Sequence, residues 1–311
     1  MNKNDLKDIL KETGFPLEIK VRKQLHDFGL TVYQSKYNTD RTGNDISKDL
    51  DIEAHFGVNV LHSRDIDMNV LLTVRVIGEV KKWATKNICI FEKENFNNEN
   101  FILRLPNFLN DGFTFQHYLG GVISAKRFFE LAGKISVSEN IAIVDENSNK
   151  DTKKGNMKKV MDEGNNIVYD ESVDIAFACE YVHRRELNNY KGIDNMFPIH
   201  ACFPLLVTDA KIMKVSMDEG FEIKDLDDVD NFIYLSPQPY ANKLSLTTKR
   251  NPILPIVVTT FNGLSKSIDL IKKMKELIDD DVTFISNNPT SITREHTNYK
   301  TLTKGENKWH P

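Results

Sequence analysis

The segments KDLDIEAHF (48–56) and VIGEVKKW (76–83) decide how this chain folds. Successive side chains on a strand point to opposite faces, so alternation can be counted along each segment. In the first, Asp49, Asp51 and Glu53 share a face, while Leu50, Ile52 and Ala54 fill the other; this is a half-buried strand with an acidic side. In the second, Glu79 and Lys81 fall together, opposite Val76, Gly78 and Val80. The intervening run HSRDIDMN (62–69) is polar and lies between apolar arms, which predicts a long antiparallel hairpin. Neighbouring strands lie about 4.8 Å apart, so paired strands would bring Asp51, Glu79 and Lys81 together.

Hydrolysis of a phosphodiester asks for these residue types. Mg²⁺ or Mn²⁺ takes one or two carboxylates plus water and phosphate oxygens, which makes Asp51 and Glu79 the expected metal ligands, with the Val80 backbone carbonyl as a further oxygen. Such an ion activates water and neutralises charge building on the phosphate. Lys81 could position the attacking water or stabilise the transition state as a compact point charge. An alternative reading makes Asp51 and Glu79 part of a solvated sheet face. That reading leaves three like charges at 49, 51 and 53 without a neutralising partner.

An Asp in an apolar strand (LDI, 50–52) followed by Glu-x-Lys closing the next strand (EVK, 79–81) resembles the PD-(D/E)XK, or restriction-endonuclease-like, nuclease superfamily. The likeness is greatest to its Holliday-junction-resolvase and Mrr-like branches and covers residues 14–92. In that family an upstream helix often adds a glutamate. GFPLEIKVRKQLHDFGLTVYQSKY supplies this element: Glu18 on a helix from about Pro16 to Phe28, Gly29 as its stop, a strand at 30–37, then the Gly-containing turn TDRTGND (39–45). Outside that likeness, Glu18 also reads as a first-turn carboxylate complementing the helix dipole. The resemblance implies an α/β fold, a restriction-endonuclease-like mixed sheet flanked by helices, with a large insertion and a C-terminal α/β extension. It also implies a DNA endonuclease. The alternatives are a catalytically inactive binding or regulatory module on the same fold in a multi-protein assembly, and a nuclease directed at RNA.

Just past the Glu-x-Lys strand, Lys82 and Trp83 are candidate nucleic-acid contacts, Lys82 for phosphate and Trp83 for a base, although Trp83 equally reads as packing at a strand end. The Lys-rich run ENSNKDTKKGNMKK, with Lys150, Lys153, Lys154, Lys158 and Lys159, reads as a solvated linker because no aromatic residues interleave. A net charge of −4 argues against purely electrostatic adhesion to nucleic acid. Cys89, Cys179 and Cys202 are widely spaced without a C-x-x-C pair and read as reduced core thiols. His183 and His200 read as structural or surface residues rather than metal ligands. No apolar run is long enough to span a membrane and MNKNDLKDIL lacks a secretory signal, so a cytoplasmic location is expected. Double-strand cleavage would call for two active sites, hence a homodimer or a partner protein.

Along the chain, residues 1–92 are expected to form the N-terminal part of the core, opening with a charged helical lead-in at 1–13. Residues 93–166 are read as an insertion. It contains an irregular Asn- and Phe-rich stretch (93–116), a helix-like segment and the strand NIAIVD within 118–145, and a loop or linker at 147–166. Residues 167–286 complete the core: a helix at 171–187 with Ser172 as N-cap, strands on either side of a turn at Asp209–Ala210 (203–215), a strand at 231–240, and a buried strand leading into an amphipathic helix (253–277). Residues 287–311 are a polar tail.

Overall fold

The computed structural model describes residues 13–39, 46–63, 68–91, 135–145, 155–189, 193, 196–220, 222–237 and 253–286. The helical lead-in, the turn TDRTGND beyond Thr39, the hairpin turn at 64–67, the 93–116 and 118–134 segments, Lys150, Lys153 and Lys154 and the polar tail lie outside those residues.

Among the described residues the chain is α/β, with two mixed sheets and three helices. Helix α1 (Phe15–Asp27) leads into β1 (Thr31–Thr39). The predicted hairpin follows as β2 (Ile46–Ser63) and β3 (Met68–Lys81), paired antiparallel from Ser63↔Met68 to Ile52↔Gly78. Next come β4 (Lys86–Phe91), β5 (Ser136–Ser138), β6 (Asn140–Asp145), α2 (Gly155–Asn189), β7 (Met196–Thr208), β8 (Lys211–Met217), β9 (Ile223–Val229), β10 (Asn231–Pro237), β11 (Ile253–Thr260) and α3 (Leu264–Ser286). The larger sheet has seven strands in the order β1-β2-β3-β7-β11-β10-β5, and the smaller has four in the order β6-β4-β8-β9.

Helix α1 ends as its sequence dictates. Gly29 adopts φ +85°, its N–H donates to the His26 carbonyl at 2.8 Å and the Leu30 N–H to the Leu25 carbonyl at 3.1 Å, while Leu25 and Leu30 bury their side chains in the same core. This fixes the angle at which α1 turns back on the sheet. Val21 and Leu25 then join α3 residues Leu264, Ile268 and Ile271 over one face of the large sheet, against Ile52, Val76, Val80 and Leu205.

The other face holds α2. From Ser172 to Glu180 every residue is buried, because α2 lies between two sheets: Ile77, Leu206 and Val258 meet it from the large sheet, Ile88, Ile141 and Ile212 from the small one. A helix covered all round needs apolar or paired side chains on every face. β7 runs parallel to β3, and β11 parallel to β7, so the second half of the chain extends the sheet begun by the hairpin. Gly78 permits the closest point of that pairing, since a Cβ there would overlap the Leu205 carbonyl.

Several expectations are corrected. β1 advances two residues, Tyr33 to Ser35, while β2 advances three, Glu53 to Leu50, which is a β-bulge at Asp51–Ile52. The bulge breaks the alternation. Leu50 packs on the α2 side, while Ile52 and Ala54 pack on the α1 side, so the three do not share a face. Asp49 accordingly parts from Asp51 and meets Lys36 at 3.3 Å on the surface. Ser172 is no N-cap but a buried interior residue of α2 whose hydroxyl donates to the Tyr169 carbonyl at 2.5 Å. Helix α2 begins at Gly155, so the linker assigned to 147–166 is helical from there on. Within the span read as an insertion, β5 joins the large sheet and β6 the small one. β7 and β8 are joined by the expected turn but part into different sheets, and β9, which the sequence reading missed, completes the smaller one. Cys89, Cys179 and Cys202 are buried free thiols, and no described helix is long and apolar enough to cross a membrane.

Candidate active site

The site forms where β2 leaves β3. The last ladder pair is Ile52↔Gly78, and β3 continues along β7 as far as Lys81↔Thr208. Beyond that pair the Asp51 carboxylate replaces the missing strand: its Oδ2 accepts the Val80 N–H at 2.9 Å. A strand residue directs its N–H and C=O toward the same neighbour, which puts the Val80 peptide on the Asp51 side of β3. The bulge is held from α1, where Arg22 Nε donates to the Asp51 carbonyl at 3.0 Å. Helix α1, the bulge and the end of β3 are thereby tied together.

Glu79 and Lys81 lie on the α2 face of β3, as alternation predicts. Lys81 Nζ sits 3.1 Å from Glu79 Oε2 and 3.1 Å from Glu171 Oε2, a residue of α2. Glu79 is 5% exposed, and burial, with Asp51 beside it, pushes its carboxyl up to about 9 even though Lys81 opposes the shift. Burial likewise raises Glu171, with a smaller contribution from Asp174. Lys81 stays protonated, since Glu79 and Glu171 more than offset its desolvation. Lys81 is thus an ammonium flanked by the carboxyl groups of Glu79 and Glu171. Glu18, in the first turn of α1, is within electrostatic reach of Asp51 and Lys81. Its carboxyl is raised, chiefly by partial burial and then by Asp51.

Lys82 and Trp83 lie in the turn after β3, both half-buried. The Trp83 ring packs against the core that surrounds α2, and its backbone N–H donates to Asp209 Oδ1 at 2.5 Å. Packing therefore accounts for Trp83 as it stands.

The donor set fits a hard divalent cation. Among the described residues no three His, Cys, Asp or Glu side chains form a metal-ligating group. A cation would rest on Asp51, Glu79, the Val80 carbonyl and water, the sparse protein coordination that Mg²⁺ accepts.

The sequence reading missed Glu171 and the ions behind it. Lys48 donates to Asp174 on α2 at 2.8 Å, one turn from Glu171. Farther along the same face, Arg75 meets Glu53 at 2.5 Å and Glu186 at 2.8 Å, and Arg185 also pairs with Glu53. Glu53 thus belongs to an arginine cluster and not to the Asp51 site. A run of acids and arginines inside an otherwise apolar helix (ESVDIAFACEYVHRREL) was the available signal. His183 and His200 are both buried, with Nδ1 atoms 3.1 Å apart.

Comparison of the chain with protein-family models, with curated proteins and with solved structures finds no match.

Proposed function

We propose that the chain is a Mg²⁺- or Mn²⁺-dependent endonuclease that hydrolyses DNA phosphodiester bonds, on a sheet of the restriction-endonuclease-like kind. The observation that carries this reading is the convergence of Asp51, Glu79 and Lys81 where β2 and β3 separate, with the Asp51 carboxylate on the Val80 peptide. When bound, the cation supplies an acidified water and offsets charge on the phosphate. Asp51 and Glu79 would hold it, with Glu18 as an accessory carboxylate. Lys81 directs its ammonium protons to the attacking water or to a phosphate oxygen, and Glu171 keeps the lysine charged and aimed. To hold a cation, Glu79 would have to be present as the carboxylate, without the proton that its burial favours.

The test is cleavage of supercoiled plasmid, linear duplex, single-stranded DNA and RNA with Mg²⁺, Mn²⁺ or EDTA, running wild type beside Asp51→Asn and Lys81→Ala. Metal-dependent cutting of DNA, lost in both variants, is the expected result. Cutting of RNA alone would move the substrate. Equal cutting by wild type and variants would remove the assignment.

A second reading is a non-catalytic binding module, favoured by Lys81 being already engaged by two carboxylates. A divalent-ion-dependent rise in Tm that disappears in Asp51→Asn supports a metal site independently of turnover.

A further inference from the structure

Strand β9 is the outer strand of the small sheet. It pairs with β8 on one side, and among the described residues its other edge has no strand beside it. Both of its faces are open to solvent from Ile223 to Asp228. Across the hairpin Met217 opposes Ile223 and Val215 opposes Leu226. The pairing shifts register between Ser216 and Met217, with Lys224 as the extra residue of β9. This brings Ile223 and Leu226 to one face, which carries an apolar strip, with Met217 46%, Ile223 61% and Leu226 55% exposed, that continues from buried Val215.

An exposed edge strand is a template for another chain, and proteins commonly guard it with lysine, proline or inward charges. Here the rim is acidic. The β8–β9 hairpin, residues 211–229, carries six carboxylates against three lysines, and one of those lysines, Lys211, is paired with Asp228 at 2.9 Å. This selects among occupants. A second copy of β9 would set Asp225 and Asp227 against their own equivalents, and like charges across a strand pair repel. Nucleic acid is repelled by the same charges. A strand with apolar residues on one face and lysine or arginine on the other meets both the strip and the rim.

We infer that β9 is a docking edge, which takes up an extended basic segment of a partner protein as a fifth strand of the small sheet. Main-chain hydrogen bonds along the edge give affinity, the Met217–Ile223–Leu226 strip seats alternate apolar side chains, and the carboxylates select the basic partner. The site lies apart from Asp51 and Glu79 and does not depend on the nuclease reading.

The test titrates the full chain with a short synthetic peptide of alternating valine and lysine. Two further versions carry N-methyl groups on the backbone amides of one edge or of the other. The expected result is saturable binding that weakens with salt, slowed amide exchange in β9, and at least about tenfold loss when one edge of the peptide is methylated but not the other. Asp225→Asn with Asp227→Asn should weaken binding by a similar factor. Ile223→Lys, on the exposed strip, should do so as well, with unchanged Tm and circular dichroism in both. No binding, or equal binding of both methylated peptides, would overturn the proposal by leaving only diffuse charge attraction. A concentration-dependent dimer abolished by Ile223→Lys would overturn it in favour of a second copy.

Discussion

Two ionic clusters lie on the same face of β3, under the same helix, and they are built on opposite principles. At its middle, Arg75 and Arg185 meet Glu53 and Glu186, two guanidinium groups for two carboxylates. At its end, Lys81 faces Glu79 and Glu171, with Asp51 and Glu18 close by and with Arg22 and Lys48 at its margins. The protonation shifts follow. Burial opposes ionisation at both sites, but the arginines outweigh it at Glu53 and hold that carboxyl below its usual range, whereas Glu79 is pushed up to about 9. A balanced cluster completes itself within the fold. An unbalanced one is relieved by a retained proton, as at Glu79, and the proposed function has a cation take that proton's place.

The sharpest way to break the comparison is to remove charge from the unbalanced end. Asp51→Asn keeps the shape and a hydrogen-bond acceptor for Val80 but removes a ligand charge. Metal-dependent DNA cleavage should fall by about 10³-fold or more, with circular dichroism and Tm close to wild type. Unchanged cleavage would put the reacting centre elsewhere.

At the balanced end the loss should appear in stability instead. Arg75→Met leaves Glu53 and Glu186 sharing Arg185 in a buried setting. Deleting one partner of a buried ion pair costs about 3–5 kcal/mol, which urea unfolding would read directly. A change well under 1 kcal/mol would mean that the cluster is not the structural clamp its charge balance indicates.

The cluster at the end of β3 was partly legible in the sequence, and the arginine cluster was not. Asp51, Glu79 and Lys81 lie on two strands joined by a local hairpin, so period-two counting reached them. The same counting failed at Asp49 and Leu50, because the bulge is set by pairing with β1, and no residue near Asp51 announces a register shift. Glu171 and Glu186 lie far along the chain on a helix whose burial on every side depends on a second sheet. β9 was missed because its run of aspartates has weak strand propensity, and pairing with β8 overrides it.

Glu79 offers a test by pH. Its carboxyl is raised in the folded protein, so its contribution to stability is fully present below the unfolded value of 4.5 and is lost as pH climbs through about 9. Wild type should therefore lose stability across that window in EDTA. Glu79→Gln, which mimics the protonated form, should show a flatter profile by about 1–3 kcal/mol in denaturant unfolding between pH 5 and 9. Parallel profiles would mean that Glu79 ionises freely and that the site has no deficit of positive charge.

The smallest effect belongs to Glu171, and it separates aiming from chemistry. Glu171 holds Lys81 from α2 at 3.1 Å and is tied through its helix to Lys48, which pairs with Asp174. Glu171→Gln leaves a polar group on Lys81 while removing one of its two carboxylate partners. A positioned lysine that loses one anchor should still work, so cleavage should fall by about tenfold in kcat with KM little changed. Because Glu171 acts through Lys81, adding Glu171→Gln to Lys81→Ala should cost nothing further, whereas independent roles would multiply the two losses. A multiplied loss would place Glu171 among the groups that meet the substrate or its metal, and the end of β3 would then hold a third carboxylate of direct function in place of a helix-borne support.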